Sequence, residues 1–258
     1  MGAKTVEFAA RNACWIIGYL CALALSLVAL SRWNDNADHP WQILGLKFDR
    51  VAAMDMLGGA LIGTLVMAGI FFAEQVLGLI HVTGISSPDF SVLIGLLWFL
   101  PSASSEELFS RGFMLNGLFM LVPGKQHKWF AVAVSAVVSG FLHAMNPHAS
   151  LFSVLGNSLG GVVYAVAYLR SGKLWLGIGL HFAWNFVQGA VLGFPVSGQM
   201  TPAIVTQTIP RAMVLTGGAY GPEAGLIGMG FRFVAIIAIL LMWSGRDRNI
   251  HAADQTPR

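Results

Sequence analysis

Charge is the scarcest feature of this chain. Of its 258 residues, 15 are Lys or Arg and 12 are Asp or Glu, together 10%; a soluble domain carries roughly 25%. Apolar residues make up 56%, and mean hydropathy is +0.69. So few charges cannot cover a water-exposed surface, which would be one continuous apolar patch. A water-soluble enzyme, a nucleic-acid binder and a disordered chain are excluded on that ground, and no nucleic-acid partner is expected. The net charge of +3 reads instead as loop bias toward one membrane face. Cysteine is rarer still. Cys14 and Cys21 lie seven apart on one helical stretch, roughly 10 Å along the axis, too far for a disulfide. Internal repeats and a second domain are also missing.

Long apolar runs are what the chain has. A helix needs about 20 apolar residues to cross a bilayer. Runs near 14–30, 52–73, 88–101, 104–122, 129–143, 151–169, 174–192 and 224–243 predict an all-α polytopic membrane bundle of about eight transmembrane helices. They form a single membrane domain over 1–258, ending in a polar tail at 244–258. Lys4 and Arg11 precede the first run as they would in a signal peptide. That run is longer than a signal core of about 7–15 residues, and its Ala-x-Ala, Ala22–Ala24, falls inside it, so it reads as an uncleaved helix. Two runs abut at Pro101–Ser105. The polar connection Gly193–Glu223 is a lid or a loop, with the plain loop favoured. Eight helices with the N-terminus inside put Lys4, Arg11, Lys125, Lys128, Arg170, Lys173, Arg246, Arg248 and Arg258 on the inner face. Arg32, Lys47, Arg50 and Arg211 fall on the outer one, an excess that favours cytoplasmic termini.

Ionisable groups inside such runs are costly and point to function by default. Asp55, Glu74 and Arg232 have no polar neighbours in sequence; the two acids can reach the interface, and Arg232 can snorkel or pair with an acid. The segment Ser104–Arg111 differs. Ser104 with Glu107 matches a capping box, and Glu107 with Arg111 an i,i+4 ion pair. Glu106 is left without a structural task, and desolvation of such a carboxylate would suit it to act as a general base. His143 closes the run 129–143. His181 and Asn185 share one helix face, which Gly177 and Gln188 extend. Ser153, Asn157, Gly160, Gly161 and Tyr164 make a similar stripe, for which small-residue packing is at least as good a reading. Antiparallel alternation puts Glu106, His143 and His181 toward the same membrane face.

Glu106-Glu107-x-x-x-Arg111, a helix ending in His143, and His181-x-x-x-Asn185 together resemble the CPBP family. Its members are the type II CAAX prenyl proteases and the related bacteriocin-processing and immunity proteins. The surroundings Tyr168–Trp175 and His143–Pro147 look like its bacterial members, which implies a multi-pass protein of the bacterial inner membrane. The chain departs from the family at Ser139, where members often carry Phe four residues before the second-motif histidine. The resemblance, over a motif core of 104–188, implies an intramembrane endopeptidase acting on a membrane-embedded or lipidated peptide. Glu106 would be the catalytic glutamate and Glu107 its essential neighbour. His143, His181 and Asn185 would complete the catalytic set, with Arg111, Ser139, Asn157 and Gln188 in support.

Peptide hydrolysis without Ser or Cys needs an activated water, a base and oxyanion donors. Glu106 with His143 can supply the first two, and His181 with Asn185 the donors, with no cofactor required. The rival arrangement is Zn²⁺ held by Glu106, His143 and His181, although His-Glu-x-x-His is absent. Two other readings stand beside the protease: a non-catalytic scaffold or immunity protein of the same fold, and a proton-coupled transporter, for which inverted repeats are lacking.

Overall fold

The computed structural model describes residues 44–87, 90–121, 127–208 and 213–243. Helix α1 spans Arg50–Val76, with the Asp49 carboxylate capping its first turn through the Ala52 amide at 2.9 Å. Strand β1 (Val82–Ile85) follows, then α2 (Phe90–Glu107), a π-helical stretch Leu108–Leu115, and α3 (Asn116–Leu121). Next come α4 (His127–Leu142), α5 (Leu151–Ser171), α6 (Trp175–Phe186) and a second π-helical stretch, Val187–Val191. Strand β2 (Val205–Gln207), the short α7 (Met213–Thr216), a 3₁₀ turn Pro222–Ala224 and α8 (Leu226–Met242) complete the order. Helices Arg50–Val76, Val92–Phe119 and Leu151–Ser171 are long and apolar enough to cross a membrane; Lys128–Leu142 and Leu226–Met242 are shorter apolar helices. The first expected span, 14–30, with Cys14, Cys21 and the 244–258 tail, lies outside the described residues.

Two sequence expectations change here. Within the runs 88–101 and 104–122, the described residues 90–121 form one unbroken helix with Pro101 inside it, so two expected helices are one in this region. Pro101 has no amide to give the Leu97 carbonyl. Serines close by turn their hydroxyls onto the same helix, Ser104 Oγ to Leu100 O and Ser105 Oγ to Ser102 O, each at 2.7 Å. Ser104 is therefore no N-cap and the capping box does not form; the capping box among these helices is Ser150 with Ser153 at the start of α5. The fold is also not purely α. β1 and β2 pair antiparallel across Val82–Gln207 and Ile85–Val205, because the connection after α6 folds back over the bundle end.

Helices α1 and α6 meet backbone to backbone. A Cβ on Gly59 would lie 2.1 Å from Leu176 O, and one on Gly179 would lie 2.0 Å from Met56 O. Small residues let membrane helices approach this closely, and the contact fixes the height of α6, which carries His181. Gly172, at φ +66, turns α5 tightly into α6.

The merged helix also regroups the basic residues. Leu174 N donates to Gly45 O, Lys173 Nζ binds the Asp49 carboxylate at 2.5 and 2.6 Å, and Trp175 Nε1 donates to Lys47 O. The Lys173 ammonium holds Asp49 below the usual carboxylate range. Trp243 Nε1 donates to Asp55 Oδ1, bringing the end of α8 to the same place. Lys47 and Arg50, expected opposite Arg170 and Lys173, share one end of the bundle with them. Asp55 and Glu74, expected to reach an interface, and Arg232, expected to snorkel or to pair with an acid, are all buried.

Candidate active site

The scarce charges converge. α2 delivers Glu106 and Glu107 just before the helix widens into its π turns. α4 ends one residue before His143, and α6 carries His181 and Asn185 just before its own π stretch. Such widened turns are frequent at functional sites. Glu106 Oε2 lies 3.7 Å from His143 Nε2 and 3.9 Å from His181 Nε2. Both separations exceed a direct hydrogen bond, so three polar atoms point at one small volume. Ser102 Oγ donates to the other oxygen, Glu106 Oε1, at 3.2 Å.

Each imidazole is held from behind. His143 Nδ1 donates to Ser139 O at 2.8 Å, and His181 Nδ1 donates to Glu107 Oε1 at 2.9 Å. These partners accept only, so they fix Nδ1–H and turn Nε2 toward Glu106 in both rings. The Tyr164 ring stacks on His181 at 4.4 Å. Glu107 is buried and takes Arg111 Nη1 at 3.2 Å, while Arg111 Nη2 donates to Gly161 O at 2.8 Å. The sequence-read i,i+4 pair is thus present. Gly177 leaves room for Glu107, whose Oε2 would lie 3.2 Å from an added Cβ.

These residues border a cavity of about 430 Å³. Glu106, Arg111, Ser139, His143, Asn157, His181 and Asn185 line it; Glu107 and Gln188 do not. Ser139 acts through its carbonyl on His143, and its hydroxyl meets Ser110 Oγ at 3.3 Å. Asn157 Nδ2 binds Ser153 O and the Tyr220 hydroxyl. Gln188, read as part of the polar face of α6, points away and donates to Pro195 O and Glu223 Oε2.

The connection Gly193–Glu223, taken as a plain loop, supplies one wall: Val196, Ser197, Gln199, Thr201 and Glu223 line the cavity. Gly198 (φ +82) packs where an added Cβ would lie 1.9 Å from Pro147 O, and its amide donates to Tyr220 O. Burial pushes Glu223 above the ordinary carboxylate range, with Arg232 pulling the other way. Burial and then the neighbouring Glu223 push the Tyr220 phenol up to about 12. Sequence reasoning missed Glu223 and Arg232, which also line the cavity. Their one sequence signal was an arginine on a helix with no other polar side chain.

For a metal, three of the right residue types are near one another. Among the described residues, however, no group of three or more His, Cys, Asp or Glu is arranged to hold an ion.

A family model described as Type II CAAX prenyl endopeptidase Rce1-like matches residues 87–187. The matched stretch contains Glu106, Glu107, Arg111, His143, His181 and Asn185, and stops short of Glu223 and Arg232. No curated protein and no solved structure matches the chain.

Proposed function

With the match over 87–187 supporting membership of the CPBP family, we propose that this integral membrane protein is a glutamate-dependent intramembrane endopeptidase. Its substrate is a membrane-embedded or lipidated peptide. The observation that carries the reading is the convergence of His143 Nε2 and His181 Nε2 on Glu106 Oε2, at 3.7 and 3.9 Å.

A water at that convergence gives a proton to Glu106 while His143, fixed through Ser139 O, orients it. The resulting hydroxide attacks the scissile carbonyl carbon. The oxyanion accepts hydrogen bonds from Asn185 Nδ2 and from His181 Nε2–H, the second proton of a ring whose Nδ1–H stays on Glu107. Glu106 returns its proton to the leaving nitrogen as the C–N bond breaks, so atoms and charge balance. General-base assistance of this kind is worth about 10²–10⁴ in rate, and each oxyanion donor about 10²–10³. The apolar surroundings strengthen both effects by excluding bulk water.

Substrate trapping tests the reading. Membranes of cells expressing Glu106→Gln should retain bound peptides that wild-type protein converts to new N- and C-termini. If the same termini form with Glu106→Gln, the assignment of Glu106 fails. If no termini depend on the protein at all, the non-catalytic scaffold reading replaces this one.

A further inference from the structure

Two basic residues at the start of α1 take no part in the site. Lys47 and Arg50 are exposed, and among the described residues neither forms an ion pair. The carboxylate between them in sequence is already engaged. Asp49 caps α1 through the Ala52 amide and takes Lys173 Nζ at 2.5 and 2.6 Å; Lys47 is within electrostatic range of it but not bonded to it. Lys47, Arg50 and Lys173 against Asp49 leave positive charge in excess. Helices α1 and α6 run parallel, since Gly59 meets Leu176 and Gly63 meets Leu180 and Trp184, so both begin at this corner. Their N-termini add partial positive charge, and that of α6 carries no side-chain cap.

Next to the charges the surface is apolar. Phe48 is 64% exposed and stands edge-on to Trp175 at 4.9 Å, and Trp175 Nε1 donates to Lys47 O. Indole rings favour the headgroup level of a bilayer. Met54, Leu57 and Leu61 follow Arg50 on one stripe of α1, and all three are more than half exposed. From Arg50 to Leu61 the helix rises about 16 Å, close to the roughly 15 Å of hydrocarbon in one leaflet. The corner therefore sets cations and an indole at headgroup level, above an apolar track one leaflet deep. An anionic phospholipid matches both parts. A free phosphate would use only the cations, and a neutral lipid only the track.

We propose that this corner binds an anionic phospholipid, its phosphate held by Lys47 and Arg50 and an acyl chain lying along Met54, Leu57 and Leu61. The end of the bundle concerned is the one expected to be cytoplasmic, where anionic lipid gives the leaflet its negative surface potential. The site has a structural consequence. Gly45 O and Lys47 O accept from Leu174 N and Trp175 Nε1, at the start of the helix that carries His181. A lipid fastened to Lys47 and Arg50 therefore steadies the start of α6, and the stability of the fold follows the charge of the lipid. The proposal is independent of the peptidase reading.

Thermal unfolding of the full-length protein in a neutral detergent tests it, with dioleoyl phosphatidylglycerol, dioleoyl phosphatidylcholine or glycerol phosphate titrated in. Phosphatidylglycerol should raise the midpoint by about 5–10 °C at a hundredfold over its dissociation constant. Phosphatidylcholine and glycerol phosphate should leave it unchanged. Each cation is worth about fivefold in affinity for an anionic headgroup. Lys47→Gln/Arg50→Gln should therefore need about 25-fold more phosphatidylglycerol for the same rise, and Lys128→Gln, at the same end but on α4, should need no more than wild type. Leu57→Ser should weaken the response with both cations in place. Should the double variant fail to fold, a photoreactive phosphatidylglycerol on wild-type protein should crosslink within residues 47–61, and excess phosphatidylglycerol, but not phosphatidylcholine, should displace it. An equal rise with both lipids, a response that survives the double variant, an equal loss in Lys128→Gln, or crosslinks only elsewhere would overturn the proposal. So would a rise with glycerol phosphate, which would make the corner a free-anion site.

Discussion

Glu107→Gln perturbs the account where fold and site share one atom. Glu107 Oε1 accepts from both Arg111 Nη1 and His181 Nδ1, and both Glu107 and Arg111 are almost fully buried. The amide keeps the shape and loses the charge. Arg111 then keeps the Gly161 carbonyl at 2.8 Å and the Tyr164 ring at 5.3 Å as its partners. Removing one partner of a buried ion pair costs about 3–5 kcal/mol, and because Gln still offers an acceptor the lower end, about 3 kcal/mol, is expected. At about 2–4 °C per kcal/mol for a chain of this size, the unfolding midpoint in detergent should fall by about 6–12 °C. Cleavage should fall by roughly 10²–10⁴, because the carboxylate that orients the His181 ring is gone. The double variant Glu107→Gln/Arg111→Met separates the two effects. Removing both charges should restore the midpoint to within a few degrees, since a buried pair exchanged for neutral groups is near break-even, while cleavage stays low. An unchanged midpoint in the single variant, or a double variant whose loss is the sum of both singles, would refute the reasoning.

Other expectations follow from packing, topology and chemistry. Gly59→Ala puts a Cβ 2.1 Å from Leu176 O, so thermal unfolding should show a loss of about 1–3 kcal/mol or more; Gly117→Ala, with nothing within 4 Å, should be neutral or slightly stabilising. Lys47, Arg50, Lys128, Arg170 and Lys173 stand at the bundle end expected to be cytoplasmic. In a background with Cys14 and Cys21 replaced, an impermeant maleimide added to intact cells should label Met145→Cys and not Lys128→Cys; the reverse pattern would place the site mouth on the cytoplasmic side. Because the proposed mechanism calls on no metal ion, dialysis against a chelator should leave the cleavage rate within about twofold, a margin worth about 0.4 kcal/mol in the barrier. A loss restored by added Zn²⁺ would contradict this.

Much of the site was legible because charge is so rare in this chain. Glu106, His143 and His181 stood out as ionisable residues in apolar runs, and the structure gathers them at one place. Glu107 with Arg111 was readable from i,i+4 spacing alone. Pro101 misled, since the helix runs straight through it. Arg232 and Glu223 were missed for a different reason. Their meeting depends on how the Gly193–Glu223 connection folds back against α8, and no local spacing encodes that. Arg232 also lies too deep in α8 to reach an interface, and the spacing of Gly156 and Gly160 on α5 makes sense only once α8 is packed against them. Gln188 shares the helical stripe of His181 and Asn185, yet the π stretch beginning at Val187 changes the phase of the helix, and it faces the connection instead.

The most direct test of the central claim is the single-turnover cleavage rate of the trapped substrate by purified protein in proteoliposomes, compared between wild type and Glu106→Ala. If Glu106 activates the attacking water, the rate should fall by about 10² or more, with the unfolding midpoint within a few degrees of wild type because this partly exposed carboxylate holds little of the fold together. A Glu106→Ala protein that folds and still cleaves within tenfold of wild type would contradict the account.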